Sequence, residues 1–138
     1  AALRIAAQNM VLYGDGAAVE MFVADWNRPG WSEGLSNFDL ILANPPYVET
    51  AAALAPDVRD FEPAGALFAG PDGLDDYRVL VAQLPGLLGN DGHVVLEIGA
   101  TQAAAVAAIA ADAGFASDIR RDLAGRPRAL ILSMGAGN

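Results

Sequence analysis

Short apolar runs and amphipathic stretches alternate along the chain. Leu3, Ala7, Met10 and Val11 recur at helical spacing, and Gly14 stands where a helix stops. Residues 19–23 read as a short strand ending at Asp25-Trp26, and residues 27–37, rich in Gly, Pro, Ser and Asn, read as a loop. The run Phe38-Asp39-Leu40-Ile41-Leu42-Ala43 has the length and apolarity of a parallel strand covered on both faces. It leads directly into Asn44-Pro45-Pro46-Tyr47. From residue 48 to 71 prolines, glycines and acids predict an irregular excursion. Asp72 is then placed to cap a helix in which Leu74, Tyr77, Val81, Leu84 and Leu88 form one stripe, with Pro85 bending its last turn. Residues 93–98 predict a buried strand. Thr101 is placed to cap an alanine-rich helix that buries Val106 and Ile109 and ends at Gly114. Residues 116–121 and 128–134 predict two closing strands, joined by a connection so short that the last strand runs antiparallel.

Strands alternating with helices predict an α/β sheet whose ligand site lies beyond the carboxyl ends of its strands. With 138 residues, 54% of them hydrophobic, the chain can hold one modest core. No apolar run approaches the roughly 18 positions a membrane helix requires, and no secretion signal is evident, so a cytoplasmic location is expected. The absence of cysteine and the single His93, read as a surface residue, leave no thiolate or histidine cluster for a metal. A formal charge of −9 makes nucleic acid an unfavourable partner, although Arg120, Arg121, Arg126 and Arg128 gather late in the chain and read as a solvated edge.

Asn44-Pro45-Pro46-Tyr47 carries the chemistry. Two prolines after a buried strand stiffen the backbone and donate no N–H, leaving carbonyls free to accept hydrogen bonds. Asn44 adds a side-chain carbonyl and Tyr47 a flat ring with a polar tip, a set suited to a planar amide or amine with two N–H donors. An amide nitrogen is a poor nucleophile, and orientation against an electrophilic methyl would address that. The same four residues would also serve as an ordinary proline turn. Glu97, at the end of the strand over residues 93–98, reads as a carboxylate that braces backbone amides or takes a catalytic part.

The sequence resembles the glutamine methyltransferases of peptide-chain release factors, the HemK/PrmC family. The resemblance is carried by Asn44 to Tyr47, Asp25-Trp26, Arg59-Asp60-Phe61-Glu62-Pro63, Asp72-Gly73-Leu74 with Tyr77-Arg78, Leu96-Glu97-Ile98-Gly99 with Gln102, and Arg121-Asp122-Leu123-Ala124-Gly125 before Arg128. It implies a Rossmann-like class I S-adenosylmethionine-dependent methyltransferase domain, with sheet order 3-2-1-4-5-7-6 and an antiparallel last strand. It further implies that Asn44 and the Pro45 carbonyl accept the two amide N–H bonds and that Pro46 and Tyr47 complete the substrate site, Tyr47 packing on the amide plane. Asp25 would accept from the cofactor's adenine amino group, Trp26 would flank the adenine, and Asn44 adjoins the cofactor. Glu62 would brace the active-site loop or contact substrate.

The glycine-rich loop and ribose-binding acid of such enzymes are not found in these residues. The chain is therefore expected to be the C-terminal portion of the catalytic domain over residues 1–138, without the first two strands and the N-terminal substrate-docking domain. That expectation makes residues 38–43 an apolar edge prone to pairing, with self-association as one outcome. Two rival functions accompany the resemblance: an amino-methyltransferase acting on adenine in nucleic acid, and a non-catalytic remnant.

Overall fold

The computed structural model describes residues 2–13, 18–52 and 63–135, which divide into two compact units, residues 1–33 and 34–138. In the first unit α1 spans Ala2–Tyr13, as the spacing of Leu3, Ala7 and Met10 predicts. Gly14 lies outside the described residues. The strand expected over residues 19–23 does not form: the segment is unpaired, with Val19 and Val23 exposed. A strand exists only where a neighbour supplies ladder hydrogen bonds, and none of the described residues does so here.

The second unit is a four-stranded sheet. Its strands are β1 (Phe38–Ala43), β2 (Leu88–Glu97), β3 (Phe115–Arg121) and β4 (Pro127–Met134), in the order β1-β2-β4-β3. β1 is parallel to β2, while β4 is antiparallel to both β2 and β3. This is the 4-5-7-6 end of the sheet that the resemblance implies, antiparallel strand included. α2 (Asp75–Val81) crosses from β1 to β2, and α3 (Ala103–Asp112) crosses from β2 to β3.

One face of the sheet carries the core. Val94 opposes Leu132 and Leu96 opposes Leu130, and these side chains are fully buried together with Ile98. Strand alternation puts them all on the helix side. Tyr77, Leu80, Val81 and Leu84 meet them from the first crossover, and Val106 and Ala110 from the second. Each fully buried Val, Leu or Ile among them contributes about 1.5–3 kcal/mol by leaving water. Ile109 is only half-buried. α2 ends at Val81 rather than bending through Pro85, which instead sits in a separate 3₁₀ turn, Leu84–Gly86. A continued helix would need Pro85 to donate to the Val81 carbonyl and would press its ring against it.

Three further expectations are corrected. β1 is the edge strand expected of it among the described residues, but it is not covered on both faces, with Leu40 54% and Leu42 70% exposed. Asp72 does not cap α2 directly; it accepts from the Leu74 N–H (3.1 Å) in a turn ahead of the helix. Thr101 does not occupy the cap position of α3, which belongs to Gln102. Among the described residues no helix is long and apolar enough to cross a membrane.

Candidate active site

Asn44-Pro45-Pro46-Tyr47 leaves the carboxyl end of β1, where parallel strands present their backbone ends to a ligand. The turn is held at both ends. Ala43 pairs with Leu96 before it. After it, the Val48 N–H donates to the Leu67 carbonyl (2.8 Å), and the Ala69 N–H donates to the Val48 carbonyl (2.9 Å). Pro45 is buried, Pro46 and Tyr47 are half-buried, and Asn44 is exposed. Asn44, Pro45 and Tyr47 line a cleft of about 360 Å³ closed by Val48, Ala66, Leu67 and Glu97. A second opening of about 380 Å³ shares Asn44 and Glu97 and is bounded by Leu42, Val95 and Arg128. Asn44 thus stands between two openings, one toward the tyrosine ring and one along the sheet end.

The Tyr47 hydroxyl donates to Glu97 Oε1 (3.1 Å). Burial, and then the hydrogen bond and negative charge of Glu97, push the phenol above its ordinary value, and Arg128 opposes them. Tyr47 is therefore a neutral ring of fixed tilt at any working pH. Glu97 is itself anchored, because its main-chain carbonyl accepts from the buried Tyr77 hydroxyl (2.6 Å). Tyr77 is also pushed up, first by burial and then by the nearby Tyr47, Glu97 and Asp76. Among the described residues the Glu97 carboxylate braces a side-chain hydroxyl rather than backbone amides, the first of the two roles read for it.

Gln102 ties the turn from below. Its Nε2 donates to the Tyr47 carbonyl (3.0 Å) and the Gly73 carbonyl (3.2 Å), while its Oε1 accepts from the Gly99 N–H (3.0 Å). The Asp72-Gly73-Leu74 segment is locked in turn by Arg78, whose NH2 donates to Asp72 Oδ2 (2.6 Å) and whose NH1 donates to Asp75 Oδ1 (2.9 Å). The guanidinium's hydrogen bond holds the Asp72 carboxyl below its usual range.

Of the residues singled out in the sequence, Asn44, Pro45, Pro46 and Tyr47 come together with Glu97. Asp25 and Trp26 lie in the first unit. Asp25 Oδ1 accepts from the Asn27 N–H (3.0 Å), Oδ2 pairs with Arg28 (3.4 Å), and Trp26 is half-buried. Glu62 lies outside the described residues, as do Arg59, Asp60 and Phe61. Arg128 was read as part of a solvated edge, yet it borders the opening beside Asn44. The available signal was its place at the start of β4, which pairs Ala129 with Glu97. Among the described residues no cluster of His, Cys, Asp and Glu could hold a metal ion.

No protein-family model matches the chain. It is 43% identical over 131 residues to the release factor glutamine methyltransferase of Cereibacter sphaeroides, covering 93% of this chain and 46% of that protein. With the release factor glutamine methyltransferase of Rhodospirillum rubrum it shares 40% identity over 133 residues, 94% of this chain and 40% of that protein. The chain is related in sequence, over nearly its whole length, to release factor glutamine methyltransferases. It spans less than half the length of these curated relatives. Among solved structures, a release-factor-specific protein-(glutamine-N5) methyltransferase from Alicyclobacillus acidocaldarius aligns with 76% of this chain and 85% of its own, at 21% identity and a TM-score of 0.43.

Proposed function

We propose that the protein transfers a methyl group from S-adenosylmethionine to the side-chain amide nitrogen of a glutamine in a peptide chain release factor. The observation that carries this reading is the Asn44-Pro45-Pro46-Tyr47 turn, a set of acceptors fixed at both ends beside an open cleft. Asn44 Oδ1 and the Pro45 carbonyl accept the two N–H bonds of the amide, and the Tyr47 ring packs on its plane. The Pro45 carbonyl lies in a turn stiffened by two prolines and held at both ends, so it reorganises little as positive charge builds up on the nitrogen. The neutral Tyr47 adds no charge that would compete for the N–H groups. The chain's own contribution is therefore orientation and acceptor electrostatics, worth up to about 7–11 kcal/mol in favourable cases.

Asp25 and Trp26 fit the adenine of the cofactor by their chemistry. A carboxylate has about four acceptor sites, and Asp25 uses them on one N–H and one exposed ion pair, leaving room for an amino group. Trp26 offers a flat apolar surface to the ring. When bound, S-adenosylmethionine supplies an electrophilic methyl group. A release factor as methyl acceptor places the reaction in the cytoplasm.

The test pairs a glutamine-containing release-factor peptide with an adenine oligonucleotide as acceptors, using the full-length protein. Transfer to the peptide alone is expected, and transfer to adenine would overturn the choice of acceptor. Asn44→Ala should lower turnover by about 10²–10³-fold, roughly 2.7–4 kcal/mol, for the loss of one hydrogen-bond acceptor to the amide. Its calorimetric S-adenosylmethionine affinity should change far less. Near-normal turnover would make the tetrad an ordinary turn.

A further inference from the structure

We propose that Gln102 is a positioning residue for the methyl-accepting turn, setting the place of Tyr47 and through it the Pro45 carbonyl; the proposal rests on the methyl-transfer reading above. Gln102 stands at the start of α3, where a side chain ordinarily caps its own helix, yet it makes no such bond. Its amide is given to three other segments instead: the end of β2 at Gly99, the turn at Tyr47 and the Asp72-Gly73-Leu74 segment. Two carbonyls and one N–H admit only one orientation of the amide, with both Nε2 protons and Oε1 engaged.

The surrounding backbone is shaped to admit this amide. Gly73 has φ +68°, and a Cβ there would lie 2.4 Å from the Tyr47 carbonyl oxygen and 2.8 Å from Gln102 Nε2. A Cβ on Gly99 would lie 2.7 Å from Gln102 Oε1. A side chain is thus excluded at Gly73 by the Tyr47 backbone, the left-handed conformation there independently favours glycine, and a side chain at Gly99 would displace the Gln102 amide. The consequence reaches the acceptors because Pro45 and Pro46 have nearly fixed φ. A displacement of the Tyr47 carbonyl is passed back toward Pro45 rather than absorbed. Glu97 holds the same tyrosine by its hydroxyl, so Gln102 and Glu97 determine backbone position and ring tilt respectively.

Gln102→Glu tests this. The carboxylate keeps the size and can still accept from the Gly99 N–H, but it sets an oxygen against the Tyr47 and Gly73 carbonyls. In the full-length protein, with a release-factor peptide as acceptor, kcat per folded molecule should fall by about 10²-fold, the scale of a small misplacement of reacting groups. The calorimetric S-adenosylmethionine affinity should stay within about threefold, since uniform binding is not what is lost. A purely structural role would lower the melting temperature and the folded fraction while leaving kcat per folded molecule unchanged, and that result would overturn the proposal. Gln102→Met, which removes both donors without adding charge, carries the same comparison if the glutamate variant does not accumulate as folded protein. Amide hydrogen exchange supplies a readout independent of activity. Residues 44–50 should exchange about tenfold or more faster in the variant, with β4 unchanged. If the unsubstituted protein does not methylate the peptide, the methyl-transfer reading fails, and the exchange comparison still decides whether Gln102 places the turn. Equal exchange would overturn the positioning role.

Discussion

Replacing Tyr77 by Phe removes a single hydroxyl from the centre of the second unit and leaves the ring in place. The ring is fully buried and the hydroxyl donates to the Glu97 carbonyl at 2.6 Å. Phe fills nearly the same volume, so no cavity term enters, and the loss is that of one buried hydrogen bond. Such a bond is worth about 0.5–1.5 kcal/mol net, and an acceptor left dry adds a penalty of about 1–3 kcal/mol. The Glu97 carbonyl sits at the end of β2 beside an open cleft, where water can partly replace the donor, so we expect about 1–2 kcal/mol in total. At about 2.1 cal/mol/K per residue over roughly 100 residues, this lowers the melting temperature by about 5–9 °C. Thermal and urea unfolding followed by circular dichroism would measure it, the urea slope remaining unchanged. The tyrosine also has a pH signature. Its folded pKa is raised, so the stability it contributes is complete below the unfolded value near 10 and is lost as pH rises above it. The variant should therefore lose less stability than the unsubstituted protein above about pH 10. A melting temperature within about 1 °C of the original, with the same alkaline behaviour, would show that the hydroxyl does not anchor Glu97.

Trp26→Ala should weaken S-adenosylmethionine binding by about 10–100-fold, the loss of roughly 1.5–3 kcal/mol of aromatic burial, with smaller effect on turnover at saturating cofactor; calorimetric titration and steady-state kinetics separate the two, and unchanged affinity would remove Trp26 from the cofactor site. Leu42→Lys places a charge on the exposed edge of β1 and should reduce any self-association of the chain; sedimentation showing the same oligomeric state in both proteins would show that this edge does not mediate pairing.

The local elements were legible from pattern alone where one physical requirement dominated. The apolar runs within residues 93–98 and 128–134 identify the two strands that meet in the core, and the short connection before the last strand fixes its antiparallel sense. The position of Asn44-Pro45-Pro46-Tyr47 directly after an apolar strand was likewise readable, because β1 ends at Ala43 and proline stiffness is a property of the residues themselves. The strand expected over residues 19–23 was not legible, since strand formation depends on a neighbour and not on propensity. Side-chain partnerships at long sequence separation belong to the tertiary structure alone. Tyr47 meets Glu97 across 50 positions and Gln102 across 55, distances over which spacing carries no information. Only the packing of α2 and α3 against one face of the sheet brings Glu97, Gly73 and Gln102 to the same turn, and makes a polar residue at a helix start into a support for the site.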